Sequence, residues 1–273
     1  ETKGYKGPLA GLNVIDFGHY YAGPMAGMLL ADQGANVIRI VRPGQPELLD
    51  QQYRLLNRNK KLLTLDLKTP EDKAQALSII ERADVVIENF RPGVMQRLGL
   101  AYPSVKEKNP GLVYLSLPGF ASTDKERAHI QAWEGILSAA AGVYTGTSMI
   151  RQRLGFPPVY TAMPHCSAFG AVHGATAIMA ALLAKKTHGV GTVIEIPLAD
   201  LGAFSAGHGS GHSIRSPASE FFAGVSDLLK PCIFSTEDAA DTQIEKLEQA
   251  KKLSASPTGD FYPCADGRVI FIW

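Results

Sequence analysis

Apolar runs rich in β-branched residues alternate with longer amphipathic or apolar segments through most of the chain. The runs lie at 12–17, 37–41, 62–67, 83–90, 112–117 and 192–198. Strands that alternate with helices in this way form a parallel sheet with crossover helices. The pattern therefore predicts an α/β fold, specifically a Rossmann-like open parallel sheet with flanking helices.

Helix signals separate these strands. Pro24 and Gly34 bracket a first helix, since proline is favoured just inside a helix start and glycine just past its end. Thr69, Pro70 and Glu71 predict the start of a helix over 70–82. The segment 168–186 contains no acidic residue and is largely apolar. Such a helix is expected to be buried in the domain or against a partner subunit.

The alternation stops near residue 202. We predict a large domain over 1–202, a long linker over 203–256, and the start of a small α+β domain over 257–273. The last segment resembles two short strands joined by an Asp266-Gly267 turn. Because it stops on an apolar strand, the sequence is expected to be a fragment.

Composition excludes several classes of protein. Lys and Arg number 27 against 26 Asp and Glu, so no global charge attracts nucleic acid or an acidic membrane. The three cysteines, Cys166, Cys232 and Cys264, show no metal-site or disulfide spacing, which is typical of a reducing cytosol. No signal-like start or bilayer-length apolar stretch is evident, so a cytoplasmic protein without a metal is expected.

Two loops have candidate binding chemistry. The turn over 16–24 joins a strand to a helix start and would expose backbone N–H groups to a phosphate, although an ordinary βα turn has the same pattern. The loop over 88–93 follows a predicted strand at the edge where open α/β sheets bind ligands. It is equally consistent with a capped loop in which Asn89 holds backbone groups and Arg91 is solvated. Neither dinucleotide nor P-loop motif is present.

Four segments in register resemble the class III CoA-transferase family, the group of formyl-CoA transferase, carnitine-CoA transferase and acyl-CoA racemase. They are GPLAGLNVIDFGHYYAGPMAGMLLADQGANVIRIVRPG, NRNKKLLTLDLKTPEDK, ADVVIENFRPGVMQRLGL and NPGLVYLSLPGF. The resemblance implies binding of coenzyme A and transfer of CoA between an acyl-CoA and a small carboxylate. It also implies an interlocked dimer or pairing with a sister copy.

By the same resemblance, a set of residues is expected to contact CoA. Tyr21 and Ala22 should lie along the pantetheine and pyrophosphate, and Arg42 near the nucleotide phosphates. Anionic phosphates require such cations and backbone donors. The full set is Tyr21, Ala22, Arg42, Leu65, Lys68, Asn89, Phe90, Arg97 and Leu98.

The family's nucleophilic aspartate is missing. Its position at the start of the long helix falls on Cys166 or Ser167, depending on the alignment, and no acidic residue occurs between Gly135 and Ile194. Glu134 matches an acidic position near the family's active site, although Gln131 and Trp133 replace its usual lysine and tyrosine neighbours. The racemase branch's His/Asp pair is also incomplete, which disfavours racemase activity.

Three interpretations remain open. The chain is a non-catalytic copy, such as the first half of a tandem transferase similar to the CoA-transferase-type dimethylsulfoniopropionate lyases. Alternatively, Cys166 is the nucleophile, with its pKa lowered by the helix start and His165, or it is simply a small buried residue. Third, the protein binds acyl-CoA or a sister subunit without chemistry.

The segment 206–213 is either the family's glycine-rich loop or a flexible linker. His208 and His212 have the spacing of a helical metal site, but the intervening glycines disfavour that helix, so a linker is expected.

Overall fold

The computed structural model describes residues 7–44, 51–146, 160, 162–206, 260–263 and 269–272. The chain divides into two compact units. The first comprises residues 1–141 and 162–205, and the second comprises residues 142–161 and 206–273. The candidate site belongs entirely to the first unit, and each unit is described by itself.

A six-stranded, fully parallel sheet forms the centre of the first unit. Its strands are β1 (Asn13–Asp16), β2 (Asn36–Val41), β3 (Lys60–Thr64), β4 (Val85–Glu88), β5 (Val113–Ser116) and β6 (Thr192–Glu195). Their spatial order is β3-β2-β1-β4-β5-β6. This is the order of a doubly wound Rossmann-like sheet, so the predicted fold class is confirmed.

Nine helices lie within the described residues. They are α1 (Ala22–Asp32), α2 (Gln51–Leu56), α3 (Pro70–Ile80), α4 (Val94–Leu98), α5 (Tyr102–Val105), α6 (Glu134–Ala140), α7 (Val143–Gly146), α8 (His165–His188) and α9 (Leu198–Ala206). The Thr69 side chain accepts a hydrogen bond from the Asp72 N–H and so caps α3, as its sequence predicts. Helix α9 runs across the boundary predicted at 202.

Two of the shifted element boundaries have a clear sequence context. Strand β3 begins at Lys60, two positions before the predicted start at 62, because its register with β2 pairs Val37 with Lys60 and Val41 with Thr64. Tertiary pairing thus includes polar residues that no local apolar run would mark. Helix α1 begins at Ala22, ahead of Pro24.

Apolar residues fill both faces of the sheet. Helices α3, α4 and α5 contribute Ile80, Met95 and Val105 to a core that includes Val86 and Tyr114 of the strands. Helices α1 and α8 pack together on the opposite face. By length and composition alone α8 could span a membrane, which is weak evidence, since core helices of soluble proteins pass the same test. Its contacts with α1, α6 and β5 are those of a core helix.

The described part of the second unit contains α7 and a hairpin. Strands β7 (Asp260–Pro263) and β8 (Val269–Ile272) pair antiparallel, with Asp260 opposite Ile272. The two predicted strands are therefore present. The Asp266-Gly267 turn, Cys232, Cys264, His208 and His212 lie outside the described residues.

Candidate functional site

The carboxyl ends of β1 and β4 form the topological switch point of the sheet. From β1 the strand order proceeds to β2 and β3 on one side, and from β4 to β5 and β6 on the other. Open α/β sheets bind ligands outside the strand ends at such a point, because the following loops diverge and leave a crevice. The turn over 17–21 and the loop over 89–93 meet here.

Two glycines allow the turn after β1 to close. A Cβ atom on Gly18 would lie 2.5 Å from the Gly23 Cα, and a Cβ on Gly23 would lie 2.5 Å from the Gly18 Cα. No side chain fits at either position. Asp16 holds the turn from below, since its Oδ1 accepts the Gly18 N–H at 2.8 Å.

Asn89 ties the second loop to this turn. Its Oδ1 accepts the His19 N–H at 2.6 Å, and its Nδ2 donates to the His19 carbonyl oxygen at 2.9 Å. Asn89 therefore orders backbone groups, as in a capped loop. Arg91 is exposed, but its Nη1 donates to the His129 carbonyl oxygen at 3.2 Å, so it is not simply solvated.

An aromatic group surrounds the turn, and two of its members, His19 and Tyr20, are not among the residues predicted to contact a ligand. Tyr20 has φ 56°, a left-handed conformation that is unusual for a non-glycine residue and often marks a functional site. Its exposed ring lies 5.3 Å from the Trp133 ring, and the His19 ring meets Phe90 edge-on at 4.8 Å. The pattern DFGHYYAG gives no signal for the backbone strain at Tyr20.

Three buried charged residues lie behind the turn. Asp16 and Arg39 are partners in the β1–β2 register, and both are fully buried. The Asp16 carboxylate accepts from Arg39 Nη1 at 3.2 Å and from Lys60 Nζ at 2.9 Å. Burial would raise the pKa of Asp16, but Lys60 and Arg39 outweigh it, so the pKa lies below its ordinary value. Asp16 therefore stays ionised.

The His19 imidazole is neutral at physiological pH. Burial lowers its pKa to about 4, with a further contribution from the charge of Arg39; Asp16 opposes this shift and Arg42 adds to it. A neutral imidazole can both donate and accept a hydrogen bond. The charges of Arg39 and Arg42 both favour this neutral form of His19.

The predicted CoA-contacting residues all follow carboxyl ends of strands, but they differ in exposure. Arg42 follows β2, Lys68 follows β3, and Arg97 lies in α4 beyond β4; all three side chains are exposed. Asn89, Phe90, Leu98 and Tyr21 are partly buried. Ala22 and Leu65 are buried at 1% and 3% exposure. Leu65 belongs to the core, so it offers a ligand little side-chain surface.

Glu134 caps the long helix α8. One carboxylate oxygen accepts the Cys166 N–H at 2.8 Å and the Ser138 hydroxyl at 3.2 Å. The other accepts the Ser167 N–H at 3.1 Å and the Ser167 hydroxyl at 2.6 Å. The structure thus brings the three predicted catalytic candidates, Glu134, Cys166 and Ser167, together. Pro164, the N-cap residue, offers no side-chain cap, so a carboxylate from α6 fills that role.

Cys166 does not have the environment of a reactive thiol. It is fully buried, and its Sγ lies 3.6 Å from the Ser138 Oγ. Burial, together with a smaller contribution from the Glu134 charge, raises its pKa to about 12, although the hydrogen bond with Ser138 opposes this shift. This shift is opposite to the lowering expected from the helix start and His165, because desolvation and a negative neighbour outweigh the helix.

A separate cavity of about 230 Å³ lies at the ends of β4, β5 and β6. Glu88 and Arg91 of the candidate loop over 88–93 contribute to its lining, together with Ser116, Glu195 and Tyr102. None of the residues predicted to contact CoA or to act in catalysis does. Burial raises the pKa of Glu88 to about 7, partly opposed by hydrogen bonds from Ser116 and the Phe90 N–H and reinforced by Glu195. Within the described ranges, no group of three or more His, Cys, Asp or Glu could hold a metal.

Comparison with known families decides the classification. The model of CoA-transferase family III matches residues 9–273. This chain belongs to CoA-transferase family III. Among curated relatives, it is 36% identical over 264 residues to the CoA-transferase/lyase DddD of Marinomonas sp. (strain MWYL1), covering 97% of the chain and 31% of that protein. It is 36% identical over 209 residues to the acetyl-CoA:oxalate CoA-transferase of Acetobacter aceti, covering 71% and 52%.

Solved structures agree. The Rv3272 protein of Mycobacterium tuberculosis superposes with a TM-score of 0.67 at 31% identity, covering 74% of this chain and 58% of that one. A CAIB/BAIF family protein from Brucella suis gives the same TM-score at 28% identity, covering 74% and 56%. The chain thus spans 31% of the length of the DddD relative and 52% of the length of the acetyl-CoA:oxalate CoA-transferase.

Proposed function

We propose that this family III chain is a CoA-binding copy that has lost its own acyl-accepting carboxylate and works with an aspartate in another copy or subunit. The complete protein would move CoA between an acyl-CoA and a small carboxylate. Its relatives are named for such reactions, and the DddD name combines transferase with lyase. We further propose a cytoplasmic protein that pairs with itself or with a sister copy.

The observation that carries this proposal is the cap formed by Glu134. A carboxylate that attacks a thioester carbonyl needs an oxygen free to approach it. Both oxygens of Glu134 are engaged by the four donors at the start of α8. No acidic residue occurs between Gly135 and Ile194 to replace it near the start of α8.

The two remaining candidates for a nucleophile also lack activation. Cys166 is buried and its pKa is raised to about 12, so its thiolate is scarce at neutral pH. The Ser167 hydroxyl donates to Glu134, but Ser167 is only 8% exposed and an acyl-CoA would have to reach it. The CoA-binding half of the proposal is supported by the exposed cations Arg42, Lys68 and Arg97 beyond the strand ends.

Calorimetry and adduct mapping test the proposal. CoA should bind to this protein. When the complete polypeptide that carries this chain is incubated with an acyl-CoA and hydroxylamine, no adduct should form on the tryptic peptides 128–151 and 154–185, which contain Glu134 and the Cys166-Ser167 pair. An acyl or hydroxamate adduct on either peptide would show that this copy is catalytic. Cys166→Ala is the matched control and should leave turnover unchanged.

The second candidate function is a CoA-binding subunit without any transferase activity. The buried thiol and the engaged Glu134 favour it equally. Turnover separates the two: the complete polypeptide should transfer CoA between acetyl-CoA and a small dicarboxylate under the first proposal, and should bind CoA without transfer under the second.

A further inference from the structure

The buried charges behind the β1–α1 turn do not balance. Lys60 Nζ donates to the Asp16 carboxylate, to the Pro24 carbonyl oxygen at 2.6 Å and to the Asn57 Oδ1 at 3.2 Å. Three acceptors match the three hydrogens of an ammonium group, so Lys60 is charged although burial lowers its pKa. With Arg39 also charged, the cluster of Asp16, Arg39 and Lys60 has one positive charge more than it has negative.

Arg39 is the member of this cluster that has hydrogen-bond donors without partners among the described residues. Its Nη1 donates to Asp16 and to the Gly18 carbonyl oxygen. Its Nε and Nη2 are buried and find no hydrogen-bond partner in the described part of the chain. A buried cation without full compensation is costly, so its retention needs an explanation. Asp32, which also acts on Lys60, is itself engaged by Arg58 at the surface.

The excess charge lies where a helix start already favours an anion. Helix α1 has 11 residues, no acidic residue in its first turn and no side-chain cap. Its partial positive end therefore faces the same turn as Arg39. The charges of Arg39 and Arg42 both contribute to the lowered pKa of the buried His19 side chain, and the charge of Asp16 opposes them.

We propose that Arg39 is a positioning residue for the phosphate-bearing end of the ligand: it never touches CoA, but it holds the turn through Gly18 and supplies a positive potential behind it. This inference rests on the proposed CoA binding. Arg42, Lys68 and Arg97 would contact the nucleotide from the surface, while Arg39 acts through the turn. In low dielectric, a charge at this depth is screened far less than a surface charge.

Calorimetry with two ligands tests the inference. Arg39→Met should weaken CoA binding about tenfold, the effect of a single charge worth about 1.4 kcal/mol. Binding of pantetheine, which carries no phosphate, should be unchanged. Arg39→Lys keeps the charge and should retain most of the affinity for CoA. The matched control is Arg82→Met, which removes an exposed cation just before β4, at the opposite end of the strands.

A nuclear magnetic resonance titration of the His19 imidazole provides a readout that a purely structural role would not move. Arg39→Met should raise the pKa of His19, and Arg82→Met should not. If Arg39→Met does not fold, Lys60→Met replaces it in the same calorimetric experiment. This substitution also leaves the cluster neutral, so it should weaken CoA binding to the same degree.

The outcomes are distinguishable. Equal CoA affinity in Arg39→Met and Arg82→Met, or equal losses for CoA and pantetheine, would overturn the role of Arg39 and leave CoA binding intact. A wild-type protein that binds neither ligand would overturn the proposed function and this inference with it.

Discussion

Removal of the Glu134 carboxylate should weaken the start of α8 specifically. Glu134→Ala removes four hydrogen bonds, two of them from the helix N–H groups of Cys166 and Ser167. Loss of an N-cap costs about 1–2 kcal/mol, and a hydrogen bond to a charged group contributes about 1.5–3 kcal/mol net. Water can reach the partly buried carboxylate and replace some of these bonds. The expected loss of unfolding free energy is therefore about 3 kcal/mol.

Glu134→Gln removes the negative charge of the side chain and keeps its shape. The amide keeps one acceptor oxygen, but its NH₂ group faces donors and the favourable interaction with the helix start is lost. We expect a loss of about 1–2 kcal/mol, between those of the wild type and Glu134→Ala. The exposed Glu107→Ala, in the loop before β5, is the control and should change stability by less than about 0.5 kcal/mol.

Guanidinium chloride unfolding measures these differences, and hydrogen exchange localises them. Amides of the first turn of α8 should exchange faster in Glu134→Ala, whereas those in the middle of the helix should not. If Glu134→Ala is as stable as Glu107→Ala, the carboxylate does not cap α8. It would then be free to react, and the reasoning behind the proposed loss of chemistry would fail.

Three further predictions concern individual positions. The folded pKa of Glu88, about 7, exceeds its unfolded value, so its contribution to stability is present at low pH and lost as pH rises through 7. Between pH 5 and 8, urea unfolding should show the wild type losing about 2–3 kcal/mol relative to Glu88→Gln, and parallel pH profiles would contradict the raised pKa. Cys166 should resist alkylation by iodoacetamide at pH 8 until the protein unfolds, as followed by mass spectrometry; rapid labelling of the native protein would restore the thiol as a candidate nucleophile. Gly23→Ala should lower the midpoint of thermal unfolding and cost several kcal/mol, because the added methyl meets the Gly18 backbone at 2.5 Å; a neutral result would refute the close approach.

Local patterns predicted most of the strands and the three longest helices, α1, α3 and α8. Runs such as VVIE in β4 are fully buried, and that burial is what the apolar sequence indicates. Helices α4, α5 and α6 were not predicted, since each has seven residues or fewer and is held by tertiary contacts rather than by its own periodicity.

The site was only partly predictable for a related reason. Arg39 lies 23 positions after Asp16 in the sequence, and Lys60 lies 44 positions after it. Only the sheet register brings the three side chains together. A charged residue within the apolar run VIRIV was the available signal, since a cation in a buried strand needs a partner. Glu134 likewise precedes Cys166 by 32 positions, so its role as a cap depends on how α6 packs against α8.

The close backbone contact between Gly18 and Gly23 limits which substitutions this turn can accept during evolution. A Cβ atom added at either glycine would collide with the backbone of the other, so any larger residue is excluded at both positions. Folding alone therefore preserves the shape of this turn. The start of α8 is held in another way, by a carboxylate from a neighbouring helix that accepts its first N–H groups. Close packing would therefore preserve this turn in a duplicated gene even where residues at the start of α8 changed.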